Sequence, residues 1–218
     1  MKTPAIALSL FAAAGAHAVA PFTEPFDATS ANWFNADASA PVAWDAPGQF
    51  ATTAFNFLAS PADSTPAFFR AQDEFNSSNN AFAGNYISSG ITQLTYQVRH
   101  NAPTPLSFFA RFSGPANFPG VAAVNFAPVL PNTWTTITVN ITDPNPSFIY
   151  EGPIATFNSV FSDVGHLQIG ALVPASLALQ DISVTFDLDT VSIVPAPASA
   201  LALLGLGLAT RRRRTMSA

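Results

Sequence analysis

Two aspartates near the end of the chain have the side-chain type and spacing to hold a cation. Asp187 and Asp189 lie two residues apart in an alternating segment, so both carboxylates project from one face of a strand. Carboxylate oxygens, together with backbone carbonyls, are the ligands that a hard cation such as Ca²⁺ takes. The alternative is that these acids merely decorate a solvated face or protect an edge strand.

Aromatic side chains beside polar residues are the second candidates, because a ring can stack on a sugar while a nearby amide or carboxylate holds its hydroxyls. Trp33, Trp44 and Tyr150 lie near Asn, Asp or Pro in segments that resemble loops or strand ends. Trp44 is followed directly by Asp45, which makes this pair the most sugar-like. The alternative is core packing, which is what we predict for Trp134 at the start of a strong strand.

The sequence lacks the residue patterns of the common enzyme classes. It has no cysteine, which excludes thiol catalysis and thiolate zinc sites, and it has no Gly-x-Ser-x-Gly, His-Glu-x-x-His or phosphate-binding glycine loop. A glycosidase would need two carboxylates about 5 to 10 Å apart, and nothing in the sequence brings Glu74 and Glu151 together. We therefore predict no catalytic residue.

The segments that must position these residues alternate with the period of β-strands. In the last segment the apolar parity changes between Leu188 and Val191, which predicts a bulge at Asp189 or Thr190 and favours Asp189 as the better cation ligand. The predicted strands are 49–58, 67–70, 91–100, 106–113, 121–126, 133–141, 166–172 and 182–188 with its continuation past the bulge, and 155–160 is the one predicted helical turn.

Many short strands without interleaved helices predict an all-β fold, an antiparallel two-sheet jelly roll or β-sandwich. The segment 19–193 is long enough to bury a core without disulfides. It carries three arginines against thirteen acidic residues, a net charge of −10. Because phosphate binding needs clustered Lys and Arg, this charge excludes nucleic acid as a partner.

Residues 1–18 have the features of a secretory signal peptide. Lys2 supplies the positive start, 5–14 the apolar stretch, and Ala16-His17-Ala18 the small-x-small cleavage pattern. We expect signal peptidase to cleave after Ala18, so that the domain is exported.

The C-terminal segment 194–218 has the features of a membrane-addressed tail. Its apolar stretch, 198–209, is about 12 residues or about 18 Å of helix, shorter than the hydrocarbon core of about 30 Å. A basic cluster follows and should remain cytoplasmic. The proline motif consists of Val194, Pro195, Ala196 and Pro197, and the basic cluster of Arg211, Arg212, Arg213 and Arg214.

This tail resembles the PEP-CTERM sorting signal of Gram-negative bacterial surface proteins in its VPxPA variants. The resemblance implies a short transmembrane sorting helix, delivery to the cell envelope or extracellular matrix, and processing by an exosortase-like enzyme. Ala196 stands where that signal usually has glutamate.

The exported part also resembles the jelly-roll, galactose-binding-like modules that often precede such tails. The similarity lies in Phe26-x6-Trp33, a strand opening at Trp134, the segment 157–169 and the closing strand 186–193. It implies sugar binding and a structural Ca²⁺ where the first and last strands meet. Its candidate ligands are Glu24 and Asp27 at the first strand and Asp187 and Asp189 at the last.

Three hypotheses follow. The first is an exported, non-catalytic cell-surface or matrix protein associated with exopolysaccharide. The second is a calcium-assisted carbohydrate-binding module, and the third is a polysaccharide-acting hydrolase.

Overall fold

The computed structural model describes residues 18–195 and shows the predicted all-β sandwich of two antiparallel sheets. The strands are β1 Phe22–Glu24, β2 Ala43–Asp45, β3 Phe50–Asn56, β4 Ala67–Gln72, β5 Ile91–His100, β6 Phe108–Ser113, β7 Gly120–Ala123, β8 Thr135–Asn140, β9 Phe148–Tyr150, β10 His166–Ala171 and β11 Ser183–Pro195. The first sheet has the strand order β2-β3-β11-β5-β8, with β1 pairing beside β11, and the second has the order β4-β10-β6-β7-β9.

Helical structure among the described residues is confined to short segments between strands. Helix α1 spans Phe157–Phe161, where a helical turn was expected, and the Thr156 and Ser159 side chains form a capping box at its start. Three 3-10 helices occupy Phe57–Ala59, Asp73–Phe75 and Ser77–Asn80.

Alternating side chains build the core between the two sheets. Along β5 the residues Leu94, Tyr96 and Val98 are fully buried, as the sequence pattern predicts. Phe186 of β11 stacks on Phe68 of β4, with ring centroids 3.8 Å apart. Because β11 and β4 belong to different sheets, this aromatic contact joins the two layers.

The predicted bulge is confirmed in β11. The register with β5 shifts between Asp189 and Ser192, and Thr190 has a φ of 46°. Before the bulge β11 pairs with β3, and after it with β1. The bulge therefore keeps the apolar face inward while the neighbour on one side of β11 changes from β3 to β1.

Candidate functional site

The outer face of the second sheet carries a row of polar side chains from three strands. Gln168 of β10 pairs with Arg70 of β4 on one side and with Arg111 of β6 on the other. Directly paired residues project from the same face, so these side chains lie next to one another. They form the floor of a cleft of about 450 Å³. We call it the arginine groove; its polar lining includes Arg70, Arg111, Asn117, Glu151 and Gln168, and its apolar lining Phe55, Pro66, Phe109, Ala122 and Val124.

Arg111 organises one side of the groove. Its Nε and Nη2 atoms donate to the two carboxylate oxygens of Glu151, each at 2.6 Å. Its Nη1 atom donates to Asn117 Oδ1 at 2.7 Å, and Gln168 Nε2 donates to the same oxygen at 3.2 Å. A bidentate pair and a shared amide hold these planar groups in fixed orientations.

Arg70 lies on the other side of the groove, and most of its guanidinium N–H groups make no hydrogen bond within the described part of the chain. Its Nε atom donates to the carbonyl oxygen of Ala36 at 2.9 Å, and this is its side chain's one hydrogen bond to residues of the described part of the chain. Partial burial lowers the pKa of Arg70, and the nearby positive charge of Arg111 lowers it further. The guanidinium stays charged nonetheless, so its terminal amino groups can donate to a ligand.

An apolar wall faces these polar groups, and Gly170 makes room for it. A Cβ on Gly170 would collide with the carbonyl oxygen of Pro66 and would lie 2.7 Å from the ring of Phe109. Without a side chain at this position, Phe109 can lie across β10. The groove thus sets ring and aliphatic surface beside planar hydrogen-bonding groups, which suits a molecule with both apolar and hydroxyl-bearing faces.

The aromatic residues chosen from the sequence are not part of this groove's lining. The expectation for Trp33 was wrong, because its ring is completely buried and its Nε1 atom donates to Ser78 Oγ at 2.9 Å. Trp44 donates through Nε1 to the carbonyl of Phe26, and Asp45 accepts from the backbone of Gly48 in the β2–β3 turn.

Tyr150 lies on β9, where its ring packs edge-on against Phe148 at 6.2 Å. Burial raises the pKa of its hydroxyl, and the charge of Asp143 adds to the effect. Tyr150 is half-buried on the edge strand of the second sheet, where its ring contributes to the packing of β9.

The structure corrects two expectations on the outer face of the first sheet. Trp134 is not core, because the guanidinium of Arg99 covers its ring at 4.8 Å and leaves it half-exposed. Asp187 is not a free ligand, because Arg99 Nε and Thr52 Oγ1 donate to its two oxygens at 2.8 and 2.7 Å. A cation would have to displace both partners.

The other three acidic candidates lie at one end of the first sheet. β1 pairs with β11 just beyond the bulge, with Glu24 opposite Val191. Burial raises the pKa of Asp189, and the negative charge of Asp27 raises it further. Glu24 and Asp27 line a cleft of about 340 Å³ together with amide side chains of the loops, namely Asn32, Asn76 and Asn79.

Of the predicted sorting motif, the structure describes only the beginning. Val194 and Pro195 are the last residues of β11, paired with Gln93 and Ile91. Ala196, Pro197 and the arginines 211–214 lie outside the described residues, as do residues 1–17. Within residues 18–195 there is no helix long and apolar enough to cross a membrane.

The groove residues were not found from the sequence. In the predicted strand 106–113, Arg111 has the opposite parity to the apolar Phe108, Ala110 and Phe112, which is the one local signal of its outward position. However, the row forms only because β10 lies between β4 and β6, and these strands are distant in sequence. Arg70 and Gln168 therefore looked like ordinary surface residues.

Comparison of the sequence with protein-family models and with curated proteins yields no match. Among solved structures, the family 11 carbohydrate-binding module of a Clostridium thermocellum cellulosomal cellulase is similar over 83% of this chain and 97% of its own, at 11% identity and a TM-score of 0.43. The L4b domain of human laminin alpha-2 covers 67% of this chain and 98% of its own, at 13% identity and a TM-score of 0.39.

A third similar structure is the family 22 carbohydrate-binding and catalytic modules of a Clostridium thermocellum xylanase, complexed with xylohexaose. It covers 81% of this chain but 28% of that one, at 16% identity and a TM-score of 0.37. At identities of 11 to 16%, these likenesses concern the fold alone.

Proposed function

We propose that this chain is an exported, non-catalytic surface protein whose β-sandwich binds extracellular polysaccharide in the arginine groove. The observation that carries the proposal is the row Arg70, Gln168 and Arg111, which lies beside an apolar wall in a cleft of about 450 Å³. Ligand clefts usually measure about 300 to 1,000 Å³ and combine apolar surface with a few fixed polar groups.

The charge of the groove supports a sugar ligand with hydroxyl or carboxylate groups. In a domain of net charge −10, two of the three arginines line this one cleft. Glu151 neutralises Arg111, which leaves Arg70 as a donor for the ligand. Charge-assisted hydrogen bonds are about twice as strong as neutral ones, so Arg70 should contribute most per contact.

The non-catalytic part of the proposal is supported by the state of the groove's carboxylates. Both oxygens of Glu151 are occupied by Arg111. Hydrogen bonds from the Ser39 side chain and backbone lower the pKa of Asp37. A glycosidase needs a carboxyl group that is free to protonate the leaving group; the oxygens of Glu151 are occupied, and the lowered pKa of Asp37, which also lines the groove, disfavours its protonated form. The export part of the proposal is supported by the signal-peptide features of residues 1–18 and by the resemblance of residues 194–218 to a sorting signal.

The test is binding of the purified protein to the producing organism's exopolysaccharide, measured by co-sedimentation and by affinity electrophoresis. We expect Arg70→Gln to weaken binding by about tenfold or more, since a hydrogen bond to a charged group is worth about 1.5 to 3 kcal/mol. Gln168→Ala should also weaken it, because Gln168 holds the Asn117 amide in place.

Gln93→Ala is the matched control, because this glutamine is half-buried on β5 of the other sheet, where it bonds Asn140. Equal affinity of the wild type, Arg70→Gln and Gln168→Ala would disprove the groove as the binding site. Release of reducing ends during the incubation would instead favour the hydrolase hypothesis.

A second candidate, the calcium-assisted form of such a module, is favoured by the acidic and amide side chains of the cleft at Glu24 and Asp27. In this form the cation would stabilise the loop that follows β1 and the loop that carries Asn76 and Asn79, both of which line the cleft. Performing the same binding assay with Ca²⁺ and with chelator separates the two forms.

A further inference from the structure

A group of three metal-ligating side chains lies beside the arginine groove, at the end of β4 and the start of β10. The ligand atoms of Asp73, Glu74 and His166 all lie within 4.8 Å of one another. His166 Nε2 is 2.8 Å from a Glu74 oxygen and 3.5 Å from an Asp73 oxygen. No local sequence pattern indicates this group, because His166 is far along the chain from the two acids.

The backbone holds the three residues in place. His166 pairs with Gln72 across β10 and β4, and the N–H of Asp73 donates to the carbonyl of Gly165 at 3.1 Å. The 3-10 helix Asp73–Phe75 is thereby fixed against the first residue of β10. The group is therefore built before any ligand arrives.

The protonation of the His166 ring follows from its neighbours. Arginine can only donate hydrogen bonds, so the Asn117 atom that lies 2.7 Å from Arg111 Nη1 is the amide oxygen. His166 Nδ1 lies 3.2 Å from this oxygen and 3.3 Å from Gln72 Nε2. The Asn117 oxygen is held by Arg111 and can only accept, so the proton is assigned to Nδ1, and the Gln72 amide, whose Oε1 has no hydrogen-bond partner, then turns its oxygen to the ring. In the neutral ring Nε2 then keeps its lone pair.

That lone pair has no hydrogen-bond partner, although the side chain of His166 is only 3% exposed. Nε2 lies 2.8 Å from a Glu74 oxygen, in an orientation that makes no hydrogen bond, and 3.5 Å from an Asp73 oxygen, so a buried nitrogen without a hydrogen-bond partner lies beside two carboxylates. A positive charge among the three side chains, carried by a bound cation or by a second proton on the ring, would stabilise this arrangement, and metal uptake distinguishes the two.

We propose that Asp73, Glu74 and His166 bind a divalent transition-metal ion of the zinc class. Zinc lies about 2.0 to 2.2 Å from imidazole nitrogen and carboxylate oxygen, so two such ligands at a tetrahedral angle are about 3.4 Å apart. The observed separations of 2.8 and 3.5 Å lie on either side of this value. Three protein ligands leave the fourth position to water.

The ligand set selects the metal. An imidazole with two carboxylates suits zinc and its first-row neighbours, whereas Ca²⁺ takes six to eight oxygen ligands. Asn117 is the outer partner that fixes the ring through Nδ1, as carbonyl oxygens do for many metal-bound histidines. The inference does not depend on sugar binding, although Asn117 connects this site to the groove.

The test is metal uptake by the purified protein after treatment with a chelator. Equilibrium dialysis against Zn²⁺ should give one ion per chain, and Co²⁺ in its place should give the visible absorption of a four-coordinate site. Glu74→Gln should weaken zinc binding by at least about tenfold, because even outer partners of metal ligands are worth about 10- to 100-fold.

Asp63→Asn is the matched control, since it removes one exposed carboxylate elsewhere at a position whose φ of 63° asparagine tolerates. It should change the affinity less than about twofold. Glu74 is 47% exposed, so its glutamine variant should fold normally, as thermal unfolding in chelator will verify. Absence of stoichiometric zinc, equal zinc affinity in Glu74→Gln, or uptake of Ca²⁺ by this group in place of zinc would each overturn the proposal.

Discussion

Arg111 and Glu151 form two parallel hydrogen bonds of 2.6 Å that cross strand β7 at Gly120. A Cβ on Gly120 would lie 2.7 Å from Arg111 Nη2 and would also collide with the Glu151 carboxylate. The glycine therefore leaves free the space that the ion pair occupies. Because Arg111 also orients Asn117, this one position determines the geometry of a whole side of the arginine groove.

We expect Gly120→Ala to displace the ends of these two side chains and to lower the free energy of unfolding by about 1 kcal/mol, the lower end of the range for overpacking, because flexible side-chain ends can move aside. Sugar binding in the groove should weaken in parallel. Urea denaturation measures the first effect. Gly114→Ala is the control, because its Cβ would meet nothing closer than 3.4 Å. Equal stability of the two variants would contradict the coupling.

A buried histidine makes the stability of the domain depend on pH. His100 is 1% exposed; its Nδ1 atom accepts from the Ala102 N–H at 3.2 Å, so its proton is on Nε2, 3.0 Å from the carbonyl of Val129. Burial lowers the pKa of His100 below 6.5, although the Val129 carbonyl opposes this effect. Protonating Nδ1 would also break the bond from Ala102.

The unfolded chain therefore binds this proton more tightly than the folded one. The stabilising contribution of neutral His100 is complete above a pH of about 6.5 and is lost as the pH falls below it, by at most about 1.4 kcal/mol per pH unit. Urea midpoints at several pH values should fall more steeply for the wild type than for His100→Gln. Other titrating groups cancel in that difference, so parallel curves would contradict the prediction.

Periodicity in the sequence predicted the strands well where one face is apolar and the other polar. β5 begins and ends where expected, and the parity change in β11 correctly located the bulge. The sequence also contained a signal for the outward position of Trp134, because this residue has the opposite parity to the buried Ile137 and Val139. Its aromatic character nevertheless led to the wrong prediction that it lies in the core.

What the sequence could not reveal is which strands are neighbours. Arg70, Gln168 and Arg111 form a row only because β4, β10 and β6 are adjacent, and His166 meets Asp73 and Glu74 for the same reason. Trp33 could not be placed either, because its burial depends on loops that bring Ser78 to its Nε1 atom. Contacts between distant segments are a property of the topology and leave no local pattern.

The predicted sorting role of the C-terminal segment 194–218 can be tested without damaging the sandwich. β11 continues to Pro195, which pairs with Ile91, so a truncation that removes only residues 196–218 keeps the strand complete. We expect the truncated protein to be released into the medium and the full chain to stay with the cell envelope, as fractionation and immunoblotting will show. Ala196→Glu, which restores the usual glutamate, is the companion variant and should remain with the envelope. Envelope retention of the truncated chain would refute the sorting role.

Calcium binding at the Glu24 and Asp27 cleft predicts a thermal shift. A ligand present at a hundred times its Kd adds about 2.7 kcal/mol to the folded state, which for a domain of this size corresponds to about 5 to 10 °C in Tm. The shift should largely disappear in Asp27→Asn, which removes one of the negative charges of the cleft. In the wild type that charge also raises the pKa of Asp189.

Asp63→Asn again serves as the control and should keep the full calcium shift. Asp187 is unsuitable for this comparison, because its substitution would leave Arg99 without its carboxylate partner and destabilise the sheet by itself. Differential scanning calorimetry with Ca²⁺ and with chelator gives both values of Tm. If calcium changes neither Tm nor sugar binding, the acids of this cleft are ordinary surface charges, and the calcium-assisted form of the proposal is wrong. A shift lost only in Asp27→Asn would instead locate the cation where the first strand meets the bulge of the last.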